Sequence, residues 1–233
     1  MLFYYIRHGD PIYDPDSLTY LGEKQAEALS KRLLVYGVDR IYASTSNRAI
    51  QTAMPTAKLL KKEIEQLDWA NEGHAWRDFT VDGDWLIANA WVRRLFRSPE
   101  MLALGDRWYE HEALREHHYE RGVRRIAAES DRFFLSLGYR HVPGTGVYEV
   151  VRPNEERVAL CAHHGFGQAF LSHLLGIPYP VYTTHFALCT AGLTVIHFAE
   201  DNGYATPTVL THSSDAHMYA ESLPVPYDGG ICF

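Results

Sequence analysis

Short apolar runs that stop abruptly at polar clusters set the rhythm of this chain. Leu2 to Ile6 is apolar or aromatic at every position and ends at Arg7, as a strand buried on both faces does. "RIYAS" (40–44), "EIEQL" (63–67) and "RVALCA" (157–162) repeat the pattern. Between them the spacing turns helical. Ala26, Leu29, Leu33 and Leu34 share one face of a segment that begins near Gly22, with Thr19 as N-cap and Gly37 as stop. Ala49, Ile50, Ala53, Ala57 and Leu60 mark a second helix, in which Pro55 predicts a kink. The stretch "DPIYDPDSLTYLG" after the first strand reads as a loop. The order β-α-β-α-β predicts a parallel or mixed sheet with helices on its faces.

From 74 to 118 the pattern changes: the segment is dense in Trp, Arg and His without turn-separated strands, and reads as a helical insertion. Residues 119 to 138 predict an amphipathic helix with Val123, Ile126, Ala127, Phe134 and Leu137 on one face. "PGTG" (143–146) and "RPNEER" (152–157) are turn signals around a small strand. "AFLSHLLGI" is helical up to Gly176 and Pro178, and "GLTVIHF" and "PTVLTH" predict a late antiparallel pair. The tail "LPVPYDGGICF" reads as coil, and no repeat or low-complexity linker is visible.

Composition narrows the classes. A chain of 233 residues that is 46% hydrophobic suits one large domain with a sizeable core. A formal net charge of −7 disfavours a general nucleic-acid binder but leaves room for a small anion held by a few local arginines. No apolar stretch approaches the ~20 residues of a membrane span, and no signal peptide opens the chain. Cys161, Cys189 and Cys232 form no CxxC pair. A cytoplasmic protein in a reducing compartment is the expectation, with no nucleic-acid or membrane partner. The oligomeric state is not legible.

The chemistry gathers at strand ends. The first strand runs into Arg7, His8 and Gly9, the second into Ser44 and Arg48, and that of 157–162 into His163, His164 and two glycines. Parallel strands carry ligands at their carboxyl ends. Arginine recognises phosphoryl oxygens through paired donors, neutral histidine is a nucleophile toward phosphorus, and glycine lets backbone N–H groups approach an oxyanion.

"RHG" at 7–9, "LTYLGEKQA" at 18–26, "YASTSNRAIQTA" at 42–53 and "VALCAHHG" at 158–165 together resemble the histidine phosphatase superfamily, the phosphoglycerate-mutase-like family, in order and spacing. The resemblance implies one α/β domain over 1–233: a three-layer sandwich with a mostly parallel central sheet between helices. The insertion at 74–118 would lie over the site. It implies that His8 is the phosphorylated nucleophile and that Arg7, Arg48 and His163 hold the phosphoryl oxygens. Gly9, Ser44 and His164 are expected to bind substrate, with His164 packing or tuning rather than reacting. The family often places a proton donor in Leu-x-Glu-x-x-x-Gly after the third strand. Here the frame is "LDWANEG" (67–73), Trp69 stands at the glutamate position, and Glu72 is chosen over Asp68, with Glu110 and Glu112 held in reserve. "RHGDPIYD" also lacks the residues usual after "RHG" in the mutases. The reading is a phosphomonoesterase for a small phosphorylated metabolite, working through a phosphohistidine without metal or cofactor. A phosphoglycerate mutase and a non-catalytic phospho-ligand binder stand as alternatives.

Other chemistries fit less well. "HEALREH" (111–117) sets its second histidine two residues too far along for the HExxH face. A Cys-x5-Arg loop fails because Gly167 and Val195 stand where arginine is needed. Trp76, Trp85, Trp91 and Trp108 with Arg93, Arg94 and Arg97 are read either as a lid over the site or as a satellite core.

Overall fold

The computed structural model describes residues 1–227 and 231–233. The chain order opens with β1 (Leu2–Arg7), a hairpin of β2 (Pro11–Tyr13) and β3 (Asp16–Leu18), α1 (Tyr20–Tyr36), β4 (Arg40–Ser44), α2 (Asn47–Leu60) and β5 (Ile64–Leu67). Next come α3 (Glu72–Asp78), which runs into the segment 74–118, then a hairpin of β6 (Thr80–Val81) and β7 (Asp84–Trp85), α4 (Ala90–Leu95), α5 (Pro99–Leu104) and short 3-10 turns. Then come α6 (Glu120–Ser136), β8 (Tyr139–His141), β9 (Tyr148–Val150), β10 (Arg157–Ala162), α7 (His164–Leu175) and α8 (Tyr179–His185). The chain closes with β11 (Leu193–Asp201), β12 (Tyr204–Ser214), α9 (Ala216–Ala220), β13 (Pro226–Tyr227) and β14 (Ile231–Cys232).

Side-chain alternation in β1 builds both cores. Phe3 and Tyr5 point into the larger cluster, where Phe133, Phe134 and Phe170 come from α6 and α7. Tyr4 and Ile6 point the other way, onto Leu29 and Leu33 of α1 and Ala53 and Ala57 of α2. Strand β10 alternates likewise, with Val158 and Leu160 on one side and Ala159 and Cys161 on the other. Continuous apolar strands are therefore buried on both faces, and helices form the outer layers.

The eight-stranded sheet has the order β5-β4-β10-β1-β11-β12-β9-β8. Strands β5, β4, β10 and β1 pair in parallel, whereas β11, β12, β9 and β8 join antiparallel. The sheet is thus mixed, and the expectation of a mostly parallel sheet holds for the half that carries the site. The other half is antiparallel because β8–β9 and β11–β12 are joined by short turns, which only antiparallel neighbours permit.

Local expectations fare unevenly. Thr19 caps α1 through its hydroxyl, which accepts from the Gly22 N–H, and Gly37 ends it at φ +78°. Leu34, however, stays 49% exposed. The α2 helix continues through Pro55 to Leu60. The insertion is mainly helical but contains the β6–β7 hairpin, and the loop after β1 is the β2–β3 hairpin. The turn signals at 143–146 and 152–157 flank β9. The tail, expected as coil, forms the β13–β14 pair; residues 228–230 of it lie outside the described residues.

Candidate active site

Parallel register aligns the strand ends. Ile6 pairs with Cys161, and Cys161 with Ala43, so the residues just beyond them emerge on one rim: Arg7 and His8, Ala162 and His163, Ser44 to Ser46. Helices α2 and α7 start there, directing their N-terminal N–H groups to the same rim. The rim opens into a cleft of about 1750 Å³, lined among others by Arg7, His8, Arg48, Glu72, Trp85 and His164.

His8 is 3% exposed. Its Nδ1–H donates to the Gly9 carbonyl at 2.7 Å, which leaves Nε2 with its lone pair. Burial and then Arg7 depress its pKa to about 3, with Arg48 adding to the effect against the Gly9 bond, so the ring is neutral at ordinary pH. Its ring centroid lies 5.2 Å from that of His163. His163 is wholly buried. Its Nε2 meets Ser44 Oγ at 2.8 Å and Ser46 Oγ at 3.0 Å, and its Nδ1 meets Arg48 Nη2 at 3.3 Å. Arginine can only donate, so Nδ1 accepts and Nε2 carries the proton. Burial lowers its pKa well below the ordinary value, with His8 next in effect.

Both arginines are buried and anchored. Arg7 Nη1 donates to the Leu188 carbonyl at 2.6 Å, and Arg48 Nη1 to Asp16 Oδ1 at 2.6 Å. Asp16 also accepts from the Asn47 N–H at 2.7 Å, which ties the β2–β3 hairpin to the start of α2. Tyr13 lies against the same guanidinium, its ring centroid 5.3 Å from Cζ. Arg48 Nε is a buried donor without a hydrogen-bond partner among the described residues. Such a group costs about 1–3 kcal/mol unless an acceptor reaches it, and a phosphoryl oxygen is one.

Glu72 reaches in from the first turn of α3. Its carboxyl accepts from the Gly165 N–H at 3.0 Å and the Phe166 N–H at 3.4 Å, at the start of α7. Oε2 is 3.8 Å from His163 Nδ1. Burial pushes its pKa up to about 7, although the Phe166 amide, Arg48, Arg7 and the Gly165 amide all pull it down. A carboxyl that is half protonated near neutrality, beside a neutral histidine, is a proton donor in waiting. Asp68 lies outside, exposed, bonded to His74 at 3.0 Å and Thr45 at 3.2 Å. Glu110 and Glu112 do not line the cleft.

Two expected substrate binders sit elsewhere. Ser44 is fully buried behind His163, where it fixes the imidazole tautomer and is not on the cleft wall. Gly9 spends its N–H on Thr52 Oγ1 at 2.9 Å. It is glycine because a Cβ would stand 2.7 Å from the Gly22 carbonyl oxygen. His164 does line the cleft and lies 3.0 Å from the amide nitrogen of Gln168. Asp16, Tyr13 and Ser46 were not singled out from sequence. Asp16 and Tyr13 fall in a Pro- and Asp-rich stretch that carries no periodicity, and only the hairpin brings them to Arg48. The tryptophans divide. Trp76 and Trp85 meet edge to face at 5.1 Å and wall the cleft, while Trp108 is buried against Phe96, Tyr119 and Tyr179.

The sequence pattern of the histidine phosphatase superfamily (branch 1) matches residues 3–77, which hold Arg7, His8, Arg48 and Glu72. The fold likeness extends over nearly the whole chain. A phosphoserine phosphatase variant from Entamoeba histolytica, in complex with phosphoserine, superposes with a TM-score of 0.60 at 17% identity, covering 93% of this chain and 98% of that one. Residues 3–77 thus carry the pattern of the histidine phosphatase superfamily, branch 1, and the chain as a whole shares its fold with these phosphatases. The α-ribazole phosphatase from Shigella flexneri gives 0.56 at 18% identity, over 92% and 96% of the two chains. A mycobacterial glucosyl-3-phosphoglycerate phosphatase gives 0.51 at 16% identity, over 92% and 99%. No match is found among curated proteins.

Proposed function

We propose that this chain is a member of the histidine phosphatase superfamily and a phosphomonoesterase that hydrolyses a small phosphorylated metabolite through a phosphohistidine on His8. One observation carries the reading: a neutral His8 with Nδ1 bonded and Nε2 left over lies beside two buried guanidinium groups and a carboxyl of pKa about 7. In the first step Nε2 attacks phosphorus in line, and the leaving oxygen takes the proton of Glu72. Arg7 and Arg48 donate to the phosphoryl oxygens, where charge develops, and His163, whose Nδ1 accepts from Arg48, holds that guanidinium in place. In the second step the Glu72 carboxylate removes a proton from water as it attacks the phosphohistidine. Phosphate leaves, and His8 and protonated Glu72 are restored. The open cleft favours a phosphatase over a mutase, which must keep water out. The two arginines supply the positive charge, so turnover should survive EDTA.

The cleft wall bears on the substrate. Arg93, Arg94 and Arg97 line it, and none pairs with an acidic side chain among the described residues. With Trp76 and Trp85 lining the same cleft, they favour a phosphomonoester that carries a second anionic group on an organic body. The experiment is a panel of phosphorylated metabolites assayed for phosphate release, including phosphoserine, a phosphorylated riboside and a phosphorylated sugar acid. Transfer assays with 2,3-bisphosphoglycerate run alongside. Release from at least one alkyl phosphate supports hydrolysis. Transfer without release would favour the mutase, and neither would favour a binder.

A further inference from the structure

Apart from the cleft, a second group of chemically capable side chains lies at the other end of α7. Asp131 on α6, His141 on β8 and His173 on α7 turn toward one another. His173 Nε2 is 2.8 Å from Asp131 Oδ1, and His141 Nδ1 is 3.1 Å from the same oxygen. The three ligand-type atoms all lie within 4.8 Å of one another, and among the described residues this is the one such group of three. His173 stands nine residues after His164, so the group is roughly 13 Å along the helix from the cleft end.

We propose that Asp131, His141 and His173 form a site for a divalent transition metal ion, Zn2+ foremost, separate from the phosphatase centre. Two imidazoles and one carboxylate are a donor set that Zn2+ takes when a fourth position is left to water. Ligands about 2.0–2.1 Å from a tetrahedral ion are about 3.3 Å apart, and the two carboxylate–imidazole distances, 2.8 and 3.1 Å, lie within about half an ångström of that spacing. The surroundings are also those of a ligand set. His141 holds its other nitrogen, Nε2, 2.7 Å from the Thr145 carbonyl, the outer bond that fixes ring orientation in metal-binding histidines. The side chain of His141 is 8% exposed and that of His173 22%, so the ring positions are set by packing. A small cavity of about 150 Å³, lined by His141, His173, Gly144, Thr145 and Gly176, adjoins the group and has room for a bound water. The three ligands come from three elements, so an ion would clamp α6, α7 and β8 at the antiparallel edge of the sheet. Its role would be structural, compatible with metal-free phosphoryl chemistry in the cleft.

The test uses the full chain, stripped with chelator and titrated calorimetrically with Zn2+. The expected result is one ion per chain, with His141→Gln and His173→Gln each weakening affinity by more than about 100-fold, while His8→Ala leaves it unchanged. Thermal unfolding should move upward with added Zn2+ in the wild type and not in the two variants. Should either variant fail to fold, Co2+ in the wild type reads the site directly, through the strong visible absorption of a four-coordinate ion with nitrogen ligands. Absence of stoichiometric binding, less than tenfold weakening in both variants, or an all-oxygen Co2+ shell would overturn the proposal. The trio would then be a hydrogen-bonded His–Asp–His cluster that joins three elements without an ion.

Discussion

His8 and Glu72 are driven in opposite directions by the same cause. Burial disfavours charge, so it lowers the histidine to about 3 and raises the carboxyl to about 7. The result is an imidazole that stays unprotonated and a carboxyl that keeps its proton toward neutrality, as the proposed nucleophile and acid require. Glu72→Gln removes the proton without removing the acceptor oxygen. First-turnover transfer from an alkyl phosphate should fall by about 100-fold or more, while that from p-nitrophenyl phosphate, whose leaving group needs no proton, should change little. Equal effects on the two substrates in stopped flow would remove Glu72 from the acid role. The wild-type rate with the alkyl substrate should also decline above about pH 7, and the variant should lack that limb. Stability follows the same groups. Between the ordinary carboxyl pKa and 7, the folded state binds more protons at Glu72 than the unfolded state does, so this group's contribution falls as pH rises. Wild-type Tm should therefore drop relative to Glu72→Gln between pH 5 and pH 8 in parallel melts. His8 works the other way, since the unfolded ring binds the proton that the folded one refuses, and its contribution is lost as pH falls from the ordinary histidine pKa toward 3.

At the scale of elements, close approaches between packed elements hold the site together with its hydrogen bonds. Helix α7 presents the Gly165 N–H to Glu72, and a Cβ on Gly165 would meet Trp85 at 2.5 Å and Glu72 Oε1 at 2.8 Å. Gly165→Ala should push β7 and α3 away from α7 and cut kcat by about tenfold or more, with a cooperative melt retained. Steady-state kinetics beside circular dichroism checks this. These junctions show how far the sequence could be read. The alternating strands β1, β4 and β10 and the helices between them were legible because burial on two faces imposes unbroken apolar runs. Arg7, His8, Arg48 and His163, which the structure brings to one rim, stand at strand ends or in the first turn of a following helix, whereas Glu72 was reached through the family frame at 67–73. Ser44 and Gly9 were misplaced because a strand-end pattern shows that a residue is near the rim, not whether it faces cleft or core. Strands of two or three residues, such as β6, β7, β2 and β3, are too short to carry a period. Asp16, which anchors Arg48, was invisible for that reason.

For the whole molecule, the mixed sheet separates two tasks. Its parallel half gathers the proposed phosphoryl-binding groups at one rim, and Trp76, Trp85, Arg93, Arg94 and Arg97 line the cleft there. If the wall grips a second anionic group, Arg93→Ala with Arg94→Ala should raise KM for the preferred dianionic substrate by about tenfold or more and leave kcat nearly unchanged. A simple aryl phosphate should show little difference. An equal change on both substrates would point to a folding role for α4 instead. The central claim, a covalent phosphohistidine, is open to direct observation. With p-nitrophenyl phosphate, Glu72→Gln should pass the first step and stall at the second, because the base that activates water is gone, so the intermediate accumulates. Mass spectrometry after a neutral quench should find one acid-labile phosphoryl group on His8, absent when His8→Ala is combined with Glu72→Gln. Turnover by His8→Ala within tenfold of wild type, or a phosphoryl group on any other residue, would contradict the account.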